Sequence, residues 1–386
     1  MTSAGLDSSL RPVTSAETFT ALTEALHGGS AIAPLPDSDV ERASAVDMLQ
    51  LDEPVQEPDA AVVLATSGST GRPKGAILSR TAVRAAADAA HARLGGPGDW
   101  ALALPPYYVA GLMVMARVIA ADTTIHEVGS DLARLPSAVD AMRGRRYLAV
   151  VPTQLDRALA QPQLTEALRA MDAVLVGGSA LDASIRSRAK QAKIKVVASY
   201  GMTETCGGCV YDGLPLDGVS VAVEPRTQRI RISSIMIFSG YRLRPDLTRT
   251  ALSDGTLITQ DRGEWTSHGR LQVVGRVDDE VITGGINVDL AQLERACKSW
   301  PGLAGAEIAV VAVPDVQWGH KIVAVTNGPG SVTALQAFLD ARLPRHAAPR
   351  DLVHLNALPK TAAGKIDRIR LVADLASGLP TEEDRR

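Results

Sequence analysis

From about Ala60 to Tyr200, short apolar runs alternate with stretches of helical pattern, and this rhythm constrains the chain more than any other feature. DAAVVLAT, WALALP, RYLAVVP, DAVLVGG and KVVASYG are short and continuously apolar, as strands buried on both faces are. Between them lie RTAVRAAADAAHARL, opened by Ser79 as a cap and stopped by Gly95 and Gly96, and LDASIRSRAKQAK. The alternation predicts an α/β fold: a large N-terminal domain with mostly parallel, helix-covered sheets. After Tyr200 the texture changes. SVAVE, RIRISS and SIMIFSGYRL predict an antiparallel, β-rich subdomain. A third texture starts near Gly275, with a helix over Leu290 to Lys298, strand patterns EIAVVAVP and KIVAVTNG, and a helix near Val332 to Arg342. It predicts a small α+β C-terminal domain. ETFTALTEALHGG reads as one further helix near the N-terminus.

Composition removes several function classes. A net charge of −3 offers no basic surface for nucleic acid, and 3% aromatic residues provide few base-stacking platforms. No run of about 18 apolar residues is present to span a membrane. The first residues, MTSAGLDSSLRPVTSAETF, lack the basic and apolar regions of a signal peptide, so a cytoplasmic protein is expected. Cys206 and Cys209 form C-G-G-C, which invites a redox or zinc reading. No second C-x-x-C and no nearby His pair completes such a site, so small residues in a loop are the preferred reading.

Straight after AAVVLA comes TSGSTGRPKG, Thr66 to Gly75. Three glycines free backbone N–H groups to turn toward an anion, hydroxyls add donors, and Arg72 and Lys74 add charge. A Walker A loop needs Gly-Lys-Ser/Thr, whereas here Pro73 precedes Lys74 and Gly75 follows it. The expected element is a phosphate loop of another class, between a strand and a helix. The bland alternative is a surface turn.

Four more stretches carry chemistry-bearing residues: SYGMTETCGG (Ser199 to Gly208), ITQDRGEW with an Asp read in a turn, GRVDDEVITGGINV (Gly275 to Val288) and LPKTAAGKIDR (Leu358 to Arg368). Each alone is weak. A Thr-Glu after a strand is usually a helix cap, and a Gly-Lys near a terminus is usually a solvated turn. In this order and spacing the set resembles the adenylate-forming superfamily of acyl-CoA synthetases, peptide-synthetase adenylation domains and luciferases, over about residues 60 to 370. Within it, YGMTETCGGCVYDG, VPTQL and the compact N-terminal part are similar to the o-succinylbenzoate–CoA ligases of menaquinone biosynthesis, in their short actinobacterial form. Two departures stand out. Tyr108 occupies the position of a family His in LPPYYVAG, and T-G-D is here Thr259-Gln260-Asp261.

The resemblance implies ATP-dependent ligation in two half-reactions, with ATP and CoA as co-substrates, Mg²⁺, and a small aromatic dicarboxylate as the acid. It implies that Thr66, Ser67, Gly68, Ser69, Thr70, Gly71 and Lys74 hold phosphates, and that Thr203 donates to the α-phosphate while Glu204 holds the metal. Gly178, Ser179, Ser199, Tyr200 and Gly201 would line the adenine site, Asp261 and Arg276 would bond the ribose, and Lys365 would reach the reacting α-phosphate. Tyr108, Thr153, Gln154 and Gly177 are expected at the acyl pocket, with Thr153, Gln154 and Ser179 as candidates for the distal acid. Residues 1–276 are expected to form the N-terminal domain and 279–386 a mobile C-terminal domain, hinged near Asp278 and bringing Gly284 and Gly285 to CoA. The same motifs leave open another aryl- or acyl-CoA ligase, a carrier-protein-loading adenylation enzyme, and a non-catalytic nucleotide binder. They also allow a homodimer.

Overall fold

The computed structural model describes residues 9–66, 74–340, 342–343, 347–360 and 366–377. Its contacts divide the chain into two compact units: residues 1–222, 231–259 and 265–271 in the first, and residues 223–230, 260–264 and 272–386 in the second.

The first unit holds a seven-stranded sheet in which Val196–Met202, Ala173–Val176, Arg146–Val150, Asp99–Leu102 and Ile125–Glu127 run parallel in that order. Gly207–Tyr211 then adds antiparallel to Val196–Met202. The helices Pro152–Leu159 and Pro162–Arg169 pack Leu155, Ala158, Leu164 and Leu168 against Leu148, Val150 and Val174 of the sheet. These strands are apolar without alternation because helices cover them.

A second sheet in this unit has the order Arg11–Val13, Ile32–Pro34, Ala60–Thr66, Lys74–Ser79, Gly240–Tyr241. Here one expectation is corrected. Lys74–Ser79 runs antiparallel to Ala60–Thr66, with Thr66 facing Lys74, so TSGSTGRPKG joins two strands of a hairpin rather than a strand and a helix. The helix Arg80–Leu94 begins beyond the second strand, capped by the Ser79 hydroxyl, which accepts from the Ala82 N–H at 3.0 Å. It ends at Gly95 with φ of 96°, where a left-handed cap favours glycine.

Two further readings change. SIMIFSGYRL supplies the end of the strand Arg229–Ser234 and the two-residue strand Gly240–Tyr241 and is irregular elsewhere, and Asp261 lies within the ten-residue strand Thr256–Trp265 rather than in a turn. Period-2 burial along Thr256–Trp265 buries Leu257, Thr259 and Asp261 on one face, and this alternation signals a strand that the Gln-Asp-Arg-Gly composition obscures.

The second unit contains Ile308–Asp315 antiparallel to Gly319–Thr326, with Asp351–His354 parallel to the latter. Ile308 and Val310 face Leu293 and Cys297 of the helix Leu290–Lys298 and Leu335 of the helix Val332–Leu339. Ala309, Val311 and Val313 face Leu371 of the helix Arg368–Ala376. The small domain is thus α+β, as expected, with the last of the expected helices ending at Leu339.

Candidate active site

The parallel strands Ala173–Val176 and Val196–Met202 end side by side, and the segments that follow them meet at this carboxyl edge, where open α/β sheets bind ligands. Gly177 and Gly178 leave the first strand; Ser199, Tyr200 and Gly201 close the second. The chain then turns through Thr203–Thr205 and returns as Gly207–Tyr211. This reversal is unusually close. A Cβ on Gly201 would lie 2.0 Å from the Gly207 carbonyl oxygen, and one on Gly208 would lie 1.9 Å from Ser199 Oγ. Buried Thr205 fixes the turn, accepting from the Met202 N–H at 2.9 Å and donating to the Gly207 carbonyl at 2.6 Å. Thr203 and Glu204 are thereby presented at the edge, both partly exposed.

Cys206 and Cys209 belong to this reversal and not to a loop: Cys206 takes a left-handed φ of 50° and Cys209 lies in the returning strand. Burial pushes the Cys209 thiol up to about 12 and Cys206 higher still, the reverse of a reactive thiol.

One residue that sequence reasoning missed completes the cluster. Tyr241 donates to Glu204 Oε1 at 2.6 Å and accepts from Lys74 Nζ at 3.2 Å; the same ammonium stands 4.3 Å over the Tyr241 ring. Burial, followed by the Glu204 charge and hydrogen bond, drives the Tyr241 hydroxyl well above the usual phenol range. The signal in the sequence was slight: an isolated Gly-Tyr in a turn-rich segment of a chain with six tyrosines.

At the expected acyl pocket, Tyr108 is the residue before the helix Val109–Ala121 and packs its ring 4.7 Å from that of Tyr107. Burial pushes its hydroxyl up to about 12, so it is a neutral hydrogen-bonding group rather than the titratable base a His would be. Thr153 and Ser179 are exposed. Gln154, expected to touch substrate, instead commits its amide to the scaffold: Oε1 accepts from the Val151 N–H at 3.0 Å, and Nε2 donates to the Ala103 and Ser130 carbonyls at 3.1 and 2.9 Å.

In the second unit, Asp261 Oδ1 accepts from Arg276 Nη1 at 3.2 Å, bringing together the two residues expected at the ribose. Neighbouring Arg262 pairs with Glu280 and Asp289, and Asp289 caps the helix Leu290–Lys298 through the Gln292 N–H at 2.8 Å. Gly284 and Gly285 have φ of 58° and 82° and form a two-residue turn between Glu280–Thr283 and Ile286–Asp289. A Cβ on Gly284 would lie 2.9 Å from the Trp318 ring, so the turn itself demands glycine. Asp278 lies in the short turn Val277–Asp279. Ser67, Gly68, Ser69, Thr70, Gly71 and Lys365 lie outside the described residues.

A helix-covered parallel sheet, a Thr-Glu turn at its carboxyl edge, an antiparallel pair of strands bearing Lys74 and a separate α+β unit are together the architecture of an adenylate-forming enzyme. Residues 6–234 match the AMP-binding enzyme family and residues 293–365 its C-terminal domain, and the chain belongs to that family. It is 41% identical over 348 residues, 87% of the chain and 90% of the relative, to the "Probable 2-succinylbenzoate–CoA ligase" of Mycobacterium tuberculosis. Its fold is similar to that of ATP-bound MatB from Rhodopseudomonas palustris, with TM-score 0.78, 21% identity and 97% of each chain covered. It is also similar to that of the o-succinylbenzoate CoA synthetase of Bacillus subtilis solved with its acyl-adenylate intermediate, with TM-score 0.71 and 22% identity over 93% of this chain and 82% of that one. The Bacillus subtilis enzyme has also been solved with ATP and magnesium ion, at TM-score 0.71, 23% identity and the same coverage.

The donor set fits Mg²⁺. Among the described residues no cluster of three or more His, Cys, Asp or Glu could cage a metal. Mg²⁺ asks less of a protein: one or two carboxylates, with substrate phosphates and water completing its shell. Glu204, held through one oxygen by Tyr241 and standing beside Lys74, meets that requirement. No helix among the described residues is long and apolar enough to cross a membrane.

Proposed function

We infer that the chain is an ATP-dependent acid–CoA ligase that converts o-succinylbenzoate to o-succinylbenzoyl-CoA in menaquinone biosynthesis. The observation that carries the substrate is the 41% identity over nearly the whole length of the Mycobacterium tuberculosis relative. In the first half-reaction a carboxylate oxygen attacks the α-phosphorus of ATP, and the bond to the β-phosphate oxygen breaks to release pyrophosphate. In the second, the CoA thiol loses its proton, its sulfur forms the thioester bond, and AMP departs with the former carboxylate oxygen.

Both reactants of the first step are anions, so cations and donors must offset their repulsion before position can help. Lys74, with the hydroxyls and glycines of residues 66–71, is assigned to the β- and γ-phosphates, and Thr203 to the α-phosphate. Magnesium, bound through Glu204, would neutralise charge on the phosphate oxygens. Ser199, Tyr200, Gly201, Gly178 and Ser179 are assigned to the adenine side, Asp261 and Arg276 to the ribose, and Tyr108, Gly177 and Thr153 to the acid. Gln154 supports that pocket through its scaffold bonds rather than by touching substrate. Lys365 is assigned to the reacting α-phosphate, Asp278 to a hinge, and Gly284 and Gly285 to the approach of CoA. The domain limits of 1–276 and 279–386, a cytoplasmic site of action and a homodimer belong to the same proposal.

Purified protein given o-succinylbenzoate, ATP, Mg²⁺ and CoA should release pyrophosphate and AMP and form the thioester. Equal turnover of monocarboxylic benzoyl acids would move the substrate assignment to another aryl-CoA ligase. ATP binding without turnover of any acid would leave a nucleotide-binding protein.

A further inference from the structure

Tyr241 lies between two groups of opposite charge, Lys74 and Glu204. Among the described residues, Lys74 and Glu204 form no direct ion pair. The Tyr241 hydroxyl occupies the gap, 3.2 Å from Lys74 Nζ and 2.6 Å from Glu204 Oε1. Its polarity there is fixed by chemistry. An ammonium donates and accepts nothing, and an ionised carboxylate accepts and donates nothing. The hydroxyl must therefore give its proton to Glu204 and its lone pair to Lys74.

The backbone under Tyr241 is held on both sides. Tyr241 faces Ala76 across the hairpin strand, and its N–H donates to Thr248 Oγ1 at 2.9 Å. Gly240 takes φ of 149°, and a Cβ there would lie 2.8 Å from the Thr248 methyl. Next along, Arg242 is buried and donates to the carbonyls of Leu49, Gln50 and Glu53 at 2.5, 2.9 and 2.5 Å. Phe238 packs edge-on against the Tyr241 ring at 4.8 Å. The backbone that carries the hydroxyl is thus fixed at the sheet edge, and the ring is packed on Phe238.

We propose that Tyr241 is a positioning residue for the metal–nucleotide site: it spaces Lys74 from Glu204, spends one bond of each, and aims the free Glu204 oxygen and the remaining Lys74 protons at the triphosphate and its magnesium. The inference rests on the ligase reading, because it needs both charges to face a phosphate chain. Without the hydroxyl, the ammonium and carboxylate would collapse into a salt bridge, and each would be less available to the nucleotide. Partners that orient a metal ligand in this way typically change metal affinity by about 10–100-fold when removed.

The test is Tyr241→Phe, which keeps the ring and its contact with Phe238. Its melting temperature and its affinity for AMP in the absence of metal should stay close to those of the wild type. Its affinity for MgATP by calorimetry should fall by about tenfold, and the Mg²⁺ concentration for half-maximal pyrophosphate release should rise by about tenfold. A folded variant with unchanged MgATP affinity overturns the proposal, as does an equal loss of AMP and MgATP binding. If the wild type binds MgATP but turns over no acid, the ligase reading fails, and the calorimetric arm still decides the role of Tyr241. Should Tyr241→Phe not fold, Lys74→Gln and Glu204→Gln, singly and together, decide it in the wild-type background. Coupling through the shared hydroxyl makes their effects on MgATP affinity non-additive, and strict additivity overturns the proposal.

Discussion

Asp261 and Arg276 are joined by an ion pair of 3.2 Å between neighbouring strands, with the Asp side chain 13% exposed and the Arg 39%. The pair therefore presents one preassembled carboxylate–guanidinium face rather than two independent contacts at the place proposed for the ribose. Arg276→Ala removes one orienting partner of the carboxylate and should raise the KM for ATP by about tenfold, equivalent to about 1.4 kcal/mol, with a smaller effect on kcat. Steady-state kinetics at saturating acid and CoA measure this.

Thr205→Val should destabilise the protein by about 1–3 kcal/mol, because the shape is kept while the Met202 N–H and Gly207 carbonyl lose a buried partner. Urea denaturation reads the loss as a lower midpoint at an unchanged slope. Activity should fall beyond what unfolding explains, since the same hydroxyl sets the turn that presents Thr203 and Glu204.

Arg242→Lys should not rescue Arg242→Ala. Lysine restores the charge, but a compact ammonium cannot span carbonyls as widely placed as those of Leu49, Gln50 and Glu53. Both variants should melt several degrees below the wild type by scanning calorimetry.

His91 is buried against Trp100, its Nε2 3.3 Å from the indole N–H, and desolvation, with the nearby Arg117 charge, lowers its pKa to about 4. The unfolded chain then binds more protons than the folded one between about pH 6.5 and 4. The stabilisation from keeping this ring neutral is full above pH 6.5, falls as pH drops through that window, and is spent below the folded pKa. His91→Gln should flatten the dependence of the denaturation midpoint on pH over the same interval; an unchanged slope would assign it to other groups.

Lys365→Ala should separate the half-reactions. Adenylate formation should fall by roughly two to three orders of magnitude, the loss expected of one positioned donor, while thioester formation from supplied acyl-adenylate and CoA should stay near the wild-type rate. Single-turnover assays of each step decide it, and equal losses in both would make Lys365 a structural residue.

The parallel strands, the Ser79-capped helix and the α+β unit were legible because apolar periodicity and caps are local properties of the chain. What the sequence hid was relational. Thr66 and Lys74 flank the same glycine-rich stretch whichever element follows, and nothing nearby in the chain reveals that the return strand runs antiparallel. Gln154 offers an amide to a substrate or to a scaffold alike until the carbonyls of Ala103 and Ser130 are placed beside it. Tyr241 was invisible as a site residue because its partners, Lys74 and Glu204, stand 167 and 37 positions away.

The short strand Gly240–Tyr241 completes the sheet edge beside Lys74–Ser79, which is made early in the chain. At a synthesis rate of roughly 5–20 residues per second, the ribosome reaches Tyr241 on the order of ten seconds or more after Ser79. Throughout that interval the nascent hairpin lacks both its outer strand and the hydroxyl that bonds its lysine. A chain cut short before residue 240 thus carries every strand of the parallel sheet but neither the edge strand nor the hydroxyl that complete the corner proposed to face the triphosphate, so the late-made segment sets when that corner can first form.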